Sequence, residues 1–376
     1  MGKSAVRLIA LIISLFLLPV WGEEPLLTVL DDHHAQPAQM VGGQYQTRYP
    51  MQPLRGGFFQ WLLTHWWREW DPPHSTPPQP VTPHLSWIHH PGVEPQVTWI
   101  GHSTVLLQIA GINLLFDPIF SKYASPWPPL GPKRYQPPGL SLSQLPHIDI
   151  VMISHNHYDH LDLPSLQALA QQSGGPPLFL VPLGDQHLLA DSLTWPGGQS
   201  APYLREFNWD QHLVWPTREG PMSLHFDAVQ HWSTRDLADK NTSLWGSWAV
   251  LAPHFRFWFS GDLGYSPDTQ DIGRKYGHFD LAAIAIGAYH PEWYLKTFHI
   301  NPEQAVDVMT DVHAKQAFGI HWGTFPLSDE APDQPPKRLV EALKAHHSPL
   351  SQFVVLPLGE TIRYPLSLSE THANNP

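Results

Sequence analysis

The chain of 376 residues is 42% hydrophobic and 12% aromatic, which supplies a large core and excludes a disordered protein. Its net charge of -12 argues against a nucleic-acid partner, which would select a basic face. It has no cysteine, so the fold contains no disulfides and any metal must be held by histidine and carboxylate side chains alone.

The first segment, Met1 to Gly22, carries Lys3 and Arg7 ahead of an apolar run from Leu8 to Leu18, then Pro19-Val-Trp-Gly22 before two glutamates. This is the pattern of a secretory signal peptide cut after Gly22, and it predicts an exported, periplasmic and membrane-associated protein. An uncleaved amino-terminal anchor is the second reading, disfavoured because the run is shorter than the ~20 residues of a spanning helix. Residues 23–83 show no regular period and read as an extended arm. Within it, Phe58 to Trp70 places Trp61, Trp66, Trp67 and Trp70 among Phe and Leu in a short predicted helix. That helix either packs on the main domain or faces a membrane, where Trp is favoured at the interface.

Beyond Pro83 the pattern tightens. Val97–Ile100, Thr104–Ile109 and Ile112–Phe116 read as successive strands of a meander, with turns at Gly101-His102-Ser103 and Ala110-Gly111. A proline-rich loop, Ser125 to Pro138, leads to the short β-branched run Ile150-Val-Met-Ile153, which reads as a buried strand. Polar residues start where such a strand would leave the sheet, as Ser154-His-Asn-His-Tyr-Asp-His160. His155 and His157 share one side of an extended segment, and Asp159 and His160 follow as the chain turns toward a helix beginning near Leu163-Pro164. Two neighbouring cations could be served, one by the first pair and one by the second. With 25 histidines in the chain a histidine-rich surface loop is the bland alternative, but the strand directly in front is the context a metal motif requires. Helix and strand signals then alternate through Leu163–Ala170, Leu178–Val181 and Gln186–Asp191. A strand-rich half follows, with Tyr203–Phe207, His212–Trp215, Ser223–Val229, Ser247–Leu251, Arg256–Phe259, Leu281–Ile286 and Ala317–Ile320.

Three more apolar strands end in a metal-ligating residue: Leu224 to His231, Phe255 to Asp262, and Ala317 to His321. Each alone is more often an ordinary buried or capping group. With the first cluster they complete two coordination spheres, His155, His157, His231 and Asp262 for one metal, and Asp159, His160, Asp262 and His321 for the other. Asp262, on a tight Ser-Gly-Asp turn, is the natural carboxylate to serve both.

This order of ligands, His-x-His-x-Asp-His and then His, Asp and His after strands, resembles the metallo-β-lactamase superfamily. The closer resemblance is to its N-acylphosphatidylethanolamine-hydrolysing phospholipase D group. It is carried by Thr98-Trp-Ile-Gly-His-Ser-Thr104, Asp117-Pro-Ile-Phe-Ser121, Gly131-Pro-Lys-Arg134, Ser154 to His160, Gln230-His-Trp232, Gly261-Asp262, His299-Ile-Asn-Pro-Glu303 and Ile320-His-Trp-Gly-Thr-Phe325. The resemblance implies an α/β fold, the metallo-β-lactamase αββα sandwich with an amino-terminal extension, over residues 84–376. It also implies a homodimer, a phospholipid substrate at a membrane surface, and a place for His299 near the substrate phosphate.

The expected chemistry is hydrolysis assisted by two divalent metal ions, with Zn2+ the first choice for nitrogen and oxygen ligands. Asp262 and His299 are the expected catalytic residues, and His102 and Asp117 are expected to orient ligand imidazoles. The favoured reaction releases an N-acylethanolamine and phosphatidic acid. A β-lactamase or lactonase activity is the alternative, and a lipid-binding protein with a vestigial site is a third, opposed by the full set of seven ligands.

Overall fold

The computed structural model describes residues 27–51, 76–236 and 238–364. The leader segment Met1 to Gly22 and the aromatic segment Phe58 to Trp70 lie outside the described residues. Three short strands, β1 (Val29–Asp31), β2 (Met40–Val41) and β3 (Gln44–Tyr45), and helix α1 (Leu85–His89) come first. The predicted meander follows as β4 (Gln96–Gly101), β5 (Thr104–Ile109) and β6 (Ile112–Phe116), antiparallel throughout. β7 (Ile150–Met152), β8 (Leu178–Pro182) and β9 (Leu204–Phe207) extend it in parallel, so each step needs a crossover: the stretch 117–149 leads to β7, α2 (Leu163–Ala170) to β8 and α3 (Gln186–Ser192) to β9.

β10 (Gln211–Thr217), β11 (Gly220–Asp227), β12 (Ser247–Ala252) and β13 (Phe255–Phe259) then pair antiparallel. Helix α4 (Asp268–Tyr276) leads to β14 (Phe279–Ala285), and α5 (Glu292–Leu295) and α6 (Pro302–Asp311) lead to β15 (Ala314–Ile320). Helix α7 (Gln334–Ala345), β16 (Phe353–Val354) and β17 (Thr361–Arg363) close the described chain. The strands form a seven-stranded sheet, β17-β4-β5-β6-β7-β8-β9, and an eight-stranded sheet, β1-β10-β11-β12-β13-β14-β15-β16.

Period-two alternation sorts these strands into layers. Val97, Trp99, Leu107, Leu114, Phe116, Ile150 and Met152 face inward and share one apolar cluster with Trp248, Phe257 and Phe259 of the other sheet. Their neighbours Ile100, Leu106, Leu115 and Val151 face outward and meet Leu166 and Leu169 of α2 and Leu189 of α3. On the far side Ile272 of α4, Val306 and Met309 of α6 and Leu339 of α7 pack into the first cluster. The fold is an αββα sandwich.

The arm expected over residues 23–83 is, where described, built into this sandwich. β1 pairs with β10 as the edge of the eight-stranded sheet, Tyr45 is buried in the central core, and Pro80 bridges Leu358. Three residues are too few to show a period, so only the partner edge reveals the strand. Helices α4, α6 and α7 also escape a periodicity reading, since α4 contains Gly273 and α7 opens on Pro335-Pro336. The start of α6 did carry a signal: Asn301 caps it, accepting from Gln304 N at 2.9 Å, with Pro302 as the first helical residue.

Candidate metal centre

The ligand loop begins at the carboxyl end of β7, in the middle of its sheet. Ser154 N and Oγ donate to the two oxygens of Asp117, at 2.7 and 2.6 Å, which pins the loop to the end of β6. His160 N and Leu161 N both donate to His157 O, at 3.0 and 2.8 Å, and so turn the chain back on itself. Arg235 spans the loop: its Nη1 donates to Asn156 O (2.7 Å) and to Leu161 O (2.8 Å). The same guanidinium lies 4.0 Å over the Tyr158 ring, whose hydroxyl donates to Arg235 O at 2.8 Å. Arg235, four residues beyond His231, lies outside every motif of the sequence.

The remaining donors come from the opposite sheet. β11 and β13 are each antiparallel to β12, and β13, β14 and β15 are parallel, so β11, β13 and β15 all end at one edge. His231 lies beyond β11 and donates from Nδ1 to Phe298 O at 2.9 Å, which leaves Nε2 facing the ligand loop. Asp262 follows β13 through Ser260 and Gly261. At Gly261 φ is 58°, and a Cβ would lie 2.8 Å from Ser154 Cβ and 2.9 Å from Gly246 O, so only glycine lets this turn close on the loop. His321 follows β15, and its N donates to His102 O at 3.0 Å, joining the edges of the two sheets.

All seven predicted metal ligands meet at this edge. His155 Nε2 lies 2.8 Å from His157 Nδ1, and His231 Nε2 lies 3.4 Å from that same Nδ1. Asp262 Oδ2 is 3.8 Å from His155 Nε2 and 3.8 Å from His231 Nε2. On its other side it is 3.2 Å from His160 Nε2 and 3.0 Å from His321 Nε2. Asp159 Oδ2 lies 3.4 Å from each of these two nitrogens. One carboxylate oxygen of Asp262 is therefore common to both groups.

The surrounding residues divide differently from expectation. Asp117 Oδ2 accepts from His160 Nδ1 at 2.7 Å, holding an imidazole as expected. His102 does not hold an imidazole: its Nε2 is 2.9 Å from Asp159 Oδ2. It sits on the β4–β5 turn at a φ of 54°, and from there the side chain reaches the carboxylate across the loop. His299 closes the cluster from the 297–299 segment, with Nδ1 3.8 Å from Asp262 Oδ2 and its ring stacked 5.4 Å from His321.

The two groups differ electrostatically. Burial holds His155 and His231 well below the usual imidazole range and His157 at about 4, with neighbouring histidines reinforcing it, so this trio is neutral. Burial opposes charge on His160 and His321 as well, but Asp262 and Asp159 outweigh it, lifting His160 well above 6.5 and His321 to about 9. Burial likewise opposes charge on Asp159 and Asp262, yet the imidazoles keep both carboxyls well below the carboxylate range. The second group thus pairs raised imidazoles with depressed carboxyls.

A divalent metal fits these donors. His160 Nε2, His321 Nε2 and Asp262 Oδ1 are buried and make no aligned hydrogen bond, an expense that a coordinated cation removes. Nitrogen and oxygen donors in two groups sharing one carboxylate, at the edge of an αββα sandwich, define a metal-dependent hydrolase.

The comparisons with known proteins agree. The family described as Beta-lactamase superfamily domain matches residues 112–322. N-acyl-phosphatidylethanolamine-hydrolyzing phospholipase D 1 of Caenorhabditis elegans is 37% identical over 261 residues, 69% of this chain and 72% of its own length. An uncharacterized protein of Mycobacterium tuberculosis is 39% identical over 70% of this chain and 64% of its own. The mitochondrial N-acyl-phosphatidylethanolamine-hydrolyzing phospholipase D of Saccharomyces cerevisiae is 34% identical over 61% of this chain and 47% of its own. The chain thus spans from about half to about three quarters of these relatives. Among solved structures, a metallo hydrolase of the archaeon Ignicoccus hospitalis shares the fold with a TM-score of 0.52 at 16% identity, over 73% of this chain and 99% of its own. The chain belongs to the metallo-β-lactamase superfamily, in the N-acylphosphatidylethanolamine-hydrolysing phospholipase D group.

Proposed function

We propose that this chain is a phosphodiester hydrolase with phospholipase D specificity, cleaving N-acylphosphatidylethanolamine to an N-acylethanolamine and phosphatidic acid. The observation that carries the reading is the single Asp262 oxygen shared by two groups of donors, with His299 beside it. His155, His157, His231 and Asp262 would hold one ion, and Asp159, His160, Asp262 and His321 the other. Zinc suits these donors first, and iron or manganese would also be accepted by them. Two such ions, when bound, supply Lewis acidity to a phosphoryl oxygen and lower the pKa of water.

The protein's own groups supply the rest. Asp262 sets the two groups of donors side by side, and Asp117 and His102 fix the orientations of His160 and Asp159. In hydrolysis the water oxygen bonds to phosphorus, the phosphorus bond to the ethanolamine oxygen breaks, and that alkoxide must gain a proton. His299, half-buried beside the cluster, is placed to hydrogen-bond the phosphate or to pass that proton. The substrate places the enzyme at a membrane surface, in keeping with an exported protein; among the described residues no helix is long and apolar enough to cross a membrane.

The purified chain, its metal content measured, is incubated with mixed phospholipids in 18O-labelled water and the products are weighed by mass spectrometry. Loss of N-acylphosphatidylethanolamine with label in phosphatidic acid is expected. Intact N-acylphosphatidylethanolamine, or hydrolysis of nitrocefin in its place, would overturn the assignment.

A further inference from the structure

The proline-rich stretch between β6 and β7 is a rigid hairpin. Arg134 N donates to Lys122 O and Ala124 N to Pro132 O, both at 3.0 Å, and the Arg134 guanidinium locks the stem by donating to Ile119 O (2.9 Å) and Ser121 O (3.0 Å). At the tip Leu130 N donates to Trp127 O at 2.8 Å. Gly131 completes the turn at a φ of 99°, where a Cβ would come within 2.6 Å of Ser125 Cβ. This construction holds Trp127 74% and Leu130 68% exposed within a single turn. Two large apolar side chains fixed in water by a hydrogen-bonded frame mark a surface that meets something apolar.

The charge around the tip says what. No acidic residue lies between Asp117 and Asp149, while Lys122 and Lys133 stand exposed at the neck, an island of positive charge on a chain of net charge -12. Apolar tips flanked by lysines match the interface of an anionic bilayer, where Trp and Leu leave water and ammonium groups meet headgroup phosphates. The stem also reaches the metal centre. Tyr135 N donates to Thr324 O at 2.9 Å, and Tyr135 lines a cavity with His102 and His321.

We propose that hairpin 122–134 is a membrane anchor, with Trp127 and Leu130 entering an anionic bilayer so that the metal centre is held at its surface. The proposal rests on the reading of a phospholipid substrate, and it is tested by binding rather than turnover. Full-length, metal-loaded chain is sedimented with vesicles of phosphatidylcholine alone and of phosphatidylcholine with phosphatidylglycerol. The W127S/L130S variant is expected to partition about thirtyfold more weakly, with unchanged melting temperature and metal content. K122E/K133E is expected to lose the preference for phosphatidylglycerol vesicles. Wild-type binding by W127S/L130S would overturn the anchor even if the chain cleaves phospholipid. Dissociation of a dimer by W127S/L130S with vesicle binding intact would also overturn it, since the tip would then join two copies. Binding through the hairpin without cleavage of N-acylphosphatidylethanolamine would leave the anchor standing and remove the substrate reading.

Discussion

At the scale of single residues, Asp262 and Arg235 act on the site in different ways. Asp262 gives one oxygen to both groups of donors, so Asp262→Asn, which keeps the shape and removes the charge, is expected to lower metal occupancy and turnover together, turnover by a factor of 100 or more. Metal analysis of the purified variant checks this, and two ions per chain with normal activity would refute the shared role. Arg235 acts through main-chain oxygens, tying both ends of the loop that carries four predicted ligands. Arg235→Met leaves two loop carbonyls without their donor, and zinc affinity measured by chelator competition should fall about tenfold. Unchanged affinity would show that the loop holds its shape without the clamp. The ligands were legible because each follows an apolar strand. Arg235 was not, because a side chain that acts through backbone carbonyls leaves no spacing pattern.

At the scale of elements, β1 is fastened by charge. Lys275 on α4 lies 2.6 Å from Asp32, just beyond β1, 2.8 Å from Asp210 and 2.5 Å from Asp227. Burial raises the Asp32 pKa, but His225 and Lys275 more than offset it and hold the carboxyl at about 2 against an ordinary 3.8. The folded value is depressed, so the stabilisation is fully present above pH 3.8 and is lost as pH falls through 2; it is on the order of 2 kcal/mol, with about 1 kcal/mol gone by pH 3. In Asp32→Asn the fall in urea midpoint between pH 5 and pH 3 should be correspondingly smaller, and an identical fall would place the fastening elsewhere. Sequence period located the interior strands of both sheets, since a buried face repeats every second residue, but not the edge strands β16 and β17. It also missed β1, α4, α6 and α7, the first for its short length, α4 for its internal glycine and α7 for its paired prolines, and it read Ser125 to Pro138, which covers most of the 122–134 hairpin, as a loop because hydrogen bonds between backbone groups far apart in sequence hold it.

At the scale of the whole molecule, metal uptake and proton release are coupled. In the metal-free chain His321 is lifted to about 9, so it is protonated at pH 7 and must lose that proton to become a ligand, and Asp262 and Asp159 shift His160 in the same direction. Zinc titration of the apoprotein in buffers of different ionisation enthalpy should therefore report proton release at pH 7, and weaker binding as pH falls. A heat independent of the buffer would refute this. Because both sheets supply donors, stripping the metal should lower the melting temperature by several degrees as well as abolish activity. Calorimetry with and without chelator measures the difference.

The division of donors between the two sheets also has a consequence in time. His160 leaves the ribosome roughly 160 residues ahead of His321, an interval on the order of 10 to 30 seconds at ordinary rates of synthesis. For roughly the first 100 of those residues the ligand loop has neither Asp262 nor His321 beside it, and for the rest it still lacks His321, so a stray ion meets an incomplete set of donors. The second group of donors is complete only when β15 docks and brings His321. A pair of ions side by side is therefore a late event in the life of the chain, held only after its last strands have found their places.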